Sequence, residues 1–145
     1  MLITSVFDRE INCRRAASAA FQENVGRQGN ENFPHGIEIL TAADYFTLAN
    51  RGHAYTSIAK FVCGFEDYRE SLLDHLLNVK SQHWDQAIRE LTAESFGVLC
   101  EIDSDYMLSI ALPKLIPETL SPNLLIRHGA TLCTFYIYIY IYITL

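Results

Sequence analysis

From Asp8 to Cys133, apolar positions recur every three or four residues with polar positions between them. Asp8 to Val25 (DREINCRRAASAAFQENV) sets Ile11, Ala16, Ala19, Ala20 and Phe21 on one side, a thin and Ala-rich helical face. Asp8 suits the start of that helix and Gly26 its C-terminal stop. Arg27 to Gly36 (RQGNENFPHG) gathers Asn, Gly and Pro and predicts a loop. Ile37 to Leu40 leads into TAADYFTLAN, again helical in pattern, before Gly52 interrupts. His53 to Phe65 carries Tyr55, Ile58, Phe61, Val62 and Phe65. Tyr68 to Lys80 carries Leu72, Leu73, Leu76, Leu77 and Val79, a strongly amphipathic helix whose leucines are expected in the core. Trp84 to Cys100 follows, with Trp84, Ile88, Leu91, Phe96 and Leu99 as its apolar positions. Asp105 to Leu120 is helical but holds Pro113, which predicts a kink or a split. Ser121 and Pro122 read as N-cap and first helical residue of a last helix running to Cys133. The expected class is all-α.

The last twelve residues, TFYIYIYIYITL, break this pattern by alternating Tyr and Ile without a charge. As protein they read as a strand with two apolar faces. As nucleic acid they read as alternating T and A, which translates to Tyr-Ile-Tyr-Ile. The expectation is that 134–145 is a simple DNA repeat read in frame, through an intron or a gene-model error. An edge strand is the alternative. Phe135 to Ile143 is too short to cross a membrane, which takes about twenty residues.

The helices repeat. Arg14-Arg15-Ala16-Ala17-Ser18 aligns with Arg89-Glu90-Leu91-Thr92-Ala93 and with Arg127-His128-Gly129-Ala130-Thr131. Each Arg follows Cys13, Ile88 or Ile126, and small residues stand three and four positions on. Arg51 falls midway, so the ladder reads 14, 51, 89, 127, a step of 37 or 38. Two helices per such period are the signature of a HEAT/armadillo-type α-solenoid. Residues 1–133 thus read as about three and a half helix pairs, and 134–145 as a separate tail. Each Arg is expected to reach acidic residues of the adjacent repeat.

Charge and cysteines narrow the class. A net charge of −6 with scattered Lys and Arg argues against nucleic acid. Cys13, Cys63, Cys100 and Cys133 form no CxxC pair, and Asp8-Arg9-Glu10 closes off any secretory leader. They are expected to be reduced, buried thiols in the cytosol.

NCRRAASAAFQENVGRQG (Asn12 to Gly29) and FPHGIEILTAADYF (Phe33 to Phe46) are too unusual for a generic repeat. With HWDQAIREL (His83 to Leu91) and LSPNLLIRHGA (Leu120 to Ala130), they resemble the tubulin-folding cofactor D family from about Ile3 to Cys133. The resemblance covers a small middle part of that family's long solenoid. It implies a chaperone that captures β-tubulin after the chaperonin and assists assembly of the αβ heterodimer. It further implies work with sister tubulin-folding cofactors and an Arf-like small GTPase, a GTPase-activating role in complex, and a cytoplasmic, cytoskeleton-associated location. Departures are a start at Met1 almost on the first motif, an end in the fourth repeat, and the Tyr/Ile tail. The alternatives are a generic HEAT scaffold, a non-functional truncated product, or an enzyme.

Little favours the enzyme. His75 beside Asp74, and His83 near Asp85, lack metal-ligand spacing. Ser18, Ser57 and Ser95 lack a nucleophile-elbow frame, and Gly26-x-x-Gly29 follows a helix, not the strand a dinucleotide loop requires. No catalytic, cofactor-binding or metal-binding residue is expected, and the partner-binding residues are not identified. Trp84 is expected to pack under the preceding turn, with an exposed hot-spot role as the alternative. Arg27 is expected in solvent, with contact to an acidic partner as its alternative. Without capping repeats, the piece is expected to be marginally stable and to associate.

Overall fold

The computed structural model describes residues 2–144, with side chains described from Thr4 onward. The described residues hold helices and turns and no strand. The helices are α1 (Leu2–Ser5), α2 (Ile11–Asn32), α3 (Gly36–Ala42), α4 (51–63), α5 (66–80), α6 (Gln86–Leu99), α7 (104–118) and α8 (Leu124–Thr144). A 3₁₀ turn, Thr47–Ala49, precedes α4. Three helices contain one wide π turn each: Ala54–Ile58 in α4, Leu76–Lys80 in α5 and Met107–Ala111 in α7. The chain forms two compact units, Met1–Leu72 and Leu73–Leu145.

In the first unit, α2 packs on α1 and α3. Phe7 and Tyr55 are fully buried and meet edge to face at 5.4 Å. Tyr55 donates its hydroxyl to the Phe7 carbonyl. Val25 closes on the Cα of Gly36, where a Cβ would stand 2.7 Å from a Val25 methyl. Below them Ile39, Leu48, Ile58 and Val62 complete the core.

α2 does not stop at Gly26. It runs seven residues past Val25 to Asn32, and the break comes at Gly29, whose φ of 68° and ψ of −173° suit glycine alone. Of the stretch that reads as a loop, Arg27 and Gln28 continue the helix as a solvated face, paired one turn back with Glu23 at 2.6 Å and Asn24 at 3.1 Å, while residues 33–35 form a turn. The turn that follows places His35 in the left-handed region (φ 55°), with its ring stacked on Phe65.

In the second unit, Leu76, Leu77, Ile88, Phe96, Leu99, Met107 and Leu115 make the core. The leucine stripe of α5 is buried as expected, at 2% exposure or less. α8 lies on α6 and α7. It sits so close that a Cβ on Gly129 would stand 1.6 Å from the Ser81 carbonyl oxygen, and the Tyr136 ring covers Gly97.

Four details differ from expectation. Trp84 is 65% exposed, because Asp85 caps α6 by accepting from Ala87 N–H and leaves Trp84 outside the helix. Pro113 does not split α7, which continues to Glu118; the π turn that ends at Ala111 already departs from the regular bonding Pro113 would interrupt. Asn123, not Ser121, caps α8, its side chain accepting from Leu125 N–H at 2.9 Å. Cys13 is exposed, whereas Cys63, Cys100 and Cys133 are buried.

The tail is neither a strand nor a loose end. α8 continues through residue 144, and Ala130, Cys133 and Ile137 face the core at helical spacing. Leu145 lies outside the described residues. The resulting helix of 21 residues is long and apolar enough to cross a membrane by length and composition, so the nine-residue argument does not hold. Only 22% of its most apolar stretch is buried within the protein.

Candidate partner-binding surface

Arg14, Arg89 and Arg127 reach backbone carbonyls and not the carboxylates expected of them. Arg14 sits in the first turn of α2, 2% exposed. Its Nη1 donates to the Asp8 and Arg9 carbonyls at 2.9 Å each, its Nε to Leu48 O at 2.8 Å and its Nη2 to Ala49 O at 3.1 Å. Arg89, at the same position in α6, donates from Nη1 to His83 O (2.6 Å) and Trp84 O (3.0 Å) and from Nε to His128 Nδ1 (3.1 Å). Arg127, in α8, donates to Ser121 O at 2.8 Å. Each reaches back five or six residues to the turn before its own helix. There, backbone carbonyls lie outside the helical ladder and need donors. A planar guanidinium can bridge two of them at once.

Arg51 does not make this contact. It opens α4 itself, one turn too early to reach back. Ala54 holds the equivalent register, and the carbonyls six and five residues before it are those of Leu48 and Ala49. Arg14, from the preceding helix pair, supplies both bonds. Arg69, which the repeat pattern missed, makes the reach-back in α5, to Cys63 O at 2.8 Å and Gly64 O at 3.3 Å. Its sequence signal is faint, since no small-residue pattern follows it. Burial, and then neighbouring Arg51, lowers the Arg14 pKa from its ordinary value.

The small positions three residues after the arginines are buried, as close packing requires: Ala17, Thr92 and Ala130. Ser18 and Ser95 are buried with their hydroxyls donated to the Ala43 and Leu91 carbonyls, so neither is poised as a nucleophile. Among the described residues no group of three or more His, Cys, Asp or Glu could hold a metal ion. His75 and Asp74 do not form a pair: Asp74 accepts from the Tyr106 hydroxyl at 2.6 Å, while His75 Nε2 is buried without a hydrogen-bond partner. Burial, and then Lys80, lowers the His75 pKa. His83 Nδ1 accepts from Asp85 N–H. Burial raises the Cys100 thiol to about 11 and the Cys133 thiol further still.

What the surface offers is contact area. A shallow open depression lies along α2, lined by Ala19, Gln22, Glu23, Gly26 and Arg27. Large apolar side chains also stand in solvent on the turns and on α8: Phe46 at 79%, Trp84 at 65%, Leu120 at 86% and Tyr142 at 80% exposure. Such residues suit protein association and not bond chemistry.

Residues 1–37 match the family described as "Tubulin-specific chaperone D-like, ARM repeats". The chain is 43% identical over 133 residues to the tubulin-specific chaperone D of Dictyostelium discoideum, covering 91% of this chain and 9% of that protein. It is 33% identical over 116 residues to the tubulin-folding cofactor D of Schizosaccharomyces pombe, covering 80% of this chain and 10% of that protein. The chain thus spans about a tenth of the length of these relatives. No solved structure matches. The all-α, solenoid-type fold class read from the sequence stands.

Proposed function

For a chain that belongs to the tubulin-specific chaperone D family, we propose a share in tubulin folding, through surface binding of β-tubulin along stacked helix pairs. The observation that carries this reading is the 43% identity maintained over 133 residues. The arginine bonds hold the turns within each unit, and the exposed side chains on the turns supply contacts. The finer part of the reading is assistance to αβ-heterodimer assembly in the cytoplasm beside sister cofactors and an Arf-like small GTPase. A GTPase-activating role is read as one of the assembled complex.

The test is equilibrium binding of the purified chain to β-tubulin released from chaperonin, with serum albumin as the control. Saturable binding to β-tubulin alone supports the reading; equal or absent binding overturns it. Residues 134–145 are read as a translated T/A repeat, since Tyr-Ile alternation is what that DNA encodes. Trypsin digestion of the native protein then decides whether the peptide beginning at His128 ends as HGATLCTFYIYIYIYITL.

A further inference from the structure

The turn at residues 44–47 presents two aromatic rings on a built mount. Asp44 Oδ1 accepts from Phe46 N–H at 2.8 Å and from Thr47 N–H at 2.7 Å. Thr47 Oγ1 donates to Ala42 O at 3.0 Å. These bonds fix the backbone, so Tyr45 and Phe46 lose little freedom on binding. Tyr45 is 51% exposed and Phe46 79% exposed, their rings edge to face at 5.5 Å. Arg15 lies over the Tyr45 ring, 4.2 Å from its centroid, and donates from Nε to Tyr45 O. Tyr and Arg held rigid beside a further aromatic match the composition of binding hot spots.

The charge around this turn is the reverse of its unit. Arg15 lies on the turn, Arg14 bonds the Leu48 and Ala49 carbonyls just after it, and Arg51, Asp8 and Glu10 act on Arg14 through their charges, with Asp44 in the turn itself. Glu10 pairs with Arg9, which leaves Arg14, Arg15 and Arg51 against Asp8 and Asp44. Over the rest of the unit Glu23, Glu31, Glu38, Glu66, Asp67 and Glu70 outnumber Arg27, Lys60 and Arg69. An acidic ligand is therefore repelled by most of this unit and drawn to this end.

We propose that Tyr45, Phe46 and Arg15 form a docking site for an acidic polypeptide segment that carries apolar side chains. The rings receive the apolar side chain, and Arg15 faces its carboxylates. The site stands on its own geometry and goes beyond the tubulin reading.

The test uses the whole chain and a fluorescein-labelled Glu/Tyr copolymer as the probe, read by anisotropy. Saturable binding is expected, weaker with polyglutamate and weakening with added salt. Phe46→Ala and Arg15→Glu are each expected to weaken it by about tenfold or more. Ile37→Ala, at a 64% exposed apolar residue on α3, is expected to leave it unchanged. Circular dichroism confirms that each variant folds. Equal affinity of Phe46→Ala and the parent for the copolymer overturns the proposal, as does preference for polyglutamate. If the parent binds β-tubulin but not the copolymer, the docking site falls and the tubulin reading stands. If it binds the copolymer through Phe46 and Arg15 but not β-tubulin, the reverse holds.

Discussion

Arg14 shows how much one side chain can hold. Its four acceptors belong to two different turns, one before α2 and one before α4. Truncation strands buried carbonyls at both. Arg14→Ala is expected to cost about 2–4 kcal/mol in urea unfolding, since bonds to charged donors are worth about 1.5–3 kcal/mol and orphaned acceptors add to the loss. Arg127 is exposed with one such bond, and Arg127→Ala is expected to cost under about 1 kcal/mol. Equal losses would show that the two-turn bridge contributes nothing. His75 gives a pH prediction. Its folded pKa lies below the unfolded value of about 6.5, so the unfolded chain takes up the proton first. Stability is complete above that range and is lost as pH falls through it. The thermal midpoint is expected to drop between pH 7 and pH 5.5, and to drop less in His75→Gln. Burial raises the Cys100 and Cys133 thiols, so both are expected to react with a disulfide reagent at pH 8 only on unfolding, whereas exposed Cys13 is expected to react in the folded chain.

At the scale of the helix, what the sequence made legible depended on whether a contact has a side chain at both ends. The leucine stripe of α5 and the Arg spacing were readable because apolar faces and repeated residues leave a pattern. The acceptors of those arginines were not, because a backbone carbonyl has no letter. Ladder position 51 was misplaced for the same reason: Arg14 covers the turn that Ala54 cannot. Of the two glycines after Val25, only the backbone shows that Gly29 carries the break. The tail defeated the period argument for a different reason. Alternating Tyr and Ile is apolar at every phase, so the same letters fill a strand or a helix. Continuity with Ala130 and Cys133 makes the helix, and Ile137 falls into line at full burial. Ile137→Ala is therefore expected to cost about 2–5 kcal/mol, as for other buried Ile truncations. Ile143→Ala, at 74% exposure, is expected to cost almost nothing. A neutral Ile137→Ala would detach the tail from the fold. The candidate docking turn was visible only as part of a family-like motif, because the Asx geometry of Asp44 that fixes Tyr45 and Phe46 is a matter of backbone angles.

At the scale of the whole molecule, the outer face of α8 decides behaviour in solution. Phe135, Tyr138, Ile139, Tyr142 and Ile143 are all exposed along it, with Leu124 at its start. All but Leu124 lie in a stretch, His128 to Leu145, that holds no Lys, Arg, Asp or Glu. Isolated apolar residues on a surface are ordinary, but a contiguous stripe on one helix invites association. The net charge of −6 opposes it only weakly, because the acidic residues lie elsewhere in the sequence and salt screens them within about 8 Å. Sedimentation velocity is therefore expected to show concentration-dependent association that strengthens with salt. Tyr138→Asp with Tyr142→Asp, both on the solvent side, is expected to restore a monomer without lowering the unfolding midpoint, since neither side chain is in the core. A parent chain that stays monomeric at high concentration, or a double variant that associates as before, would remove α8 as the cause.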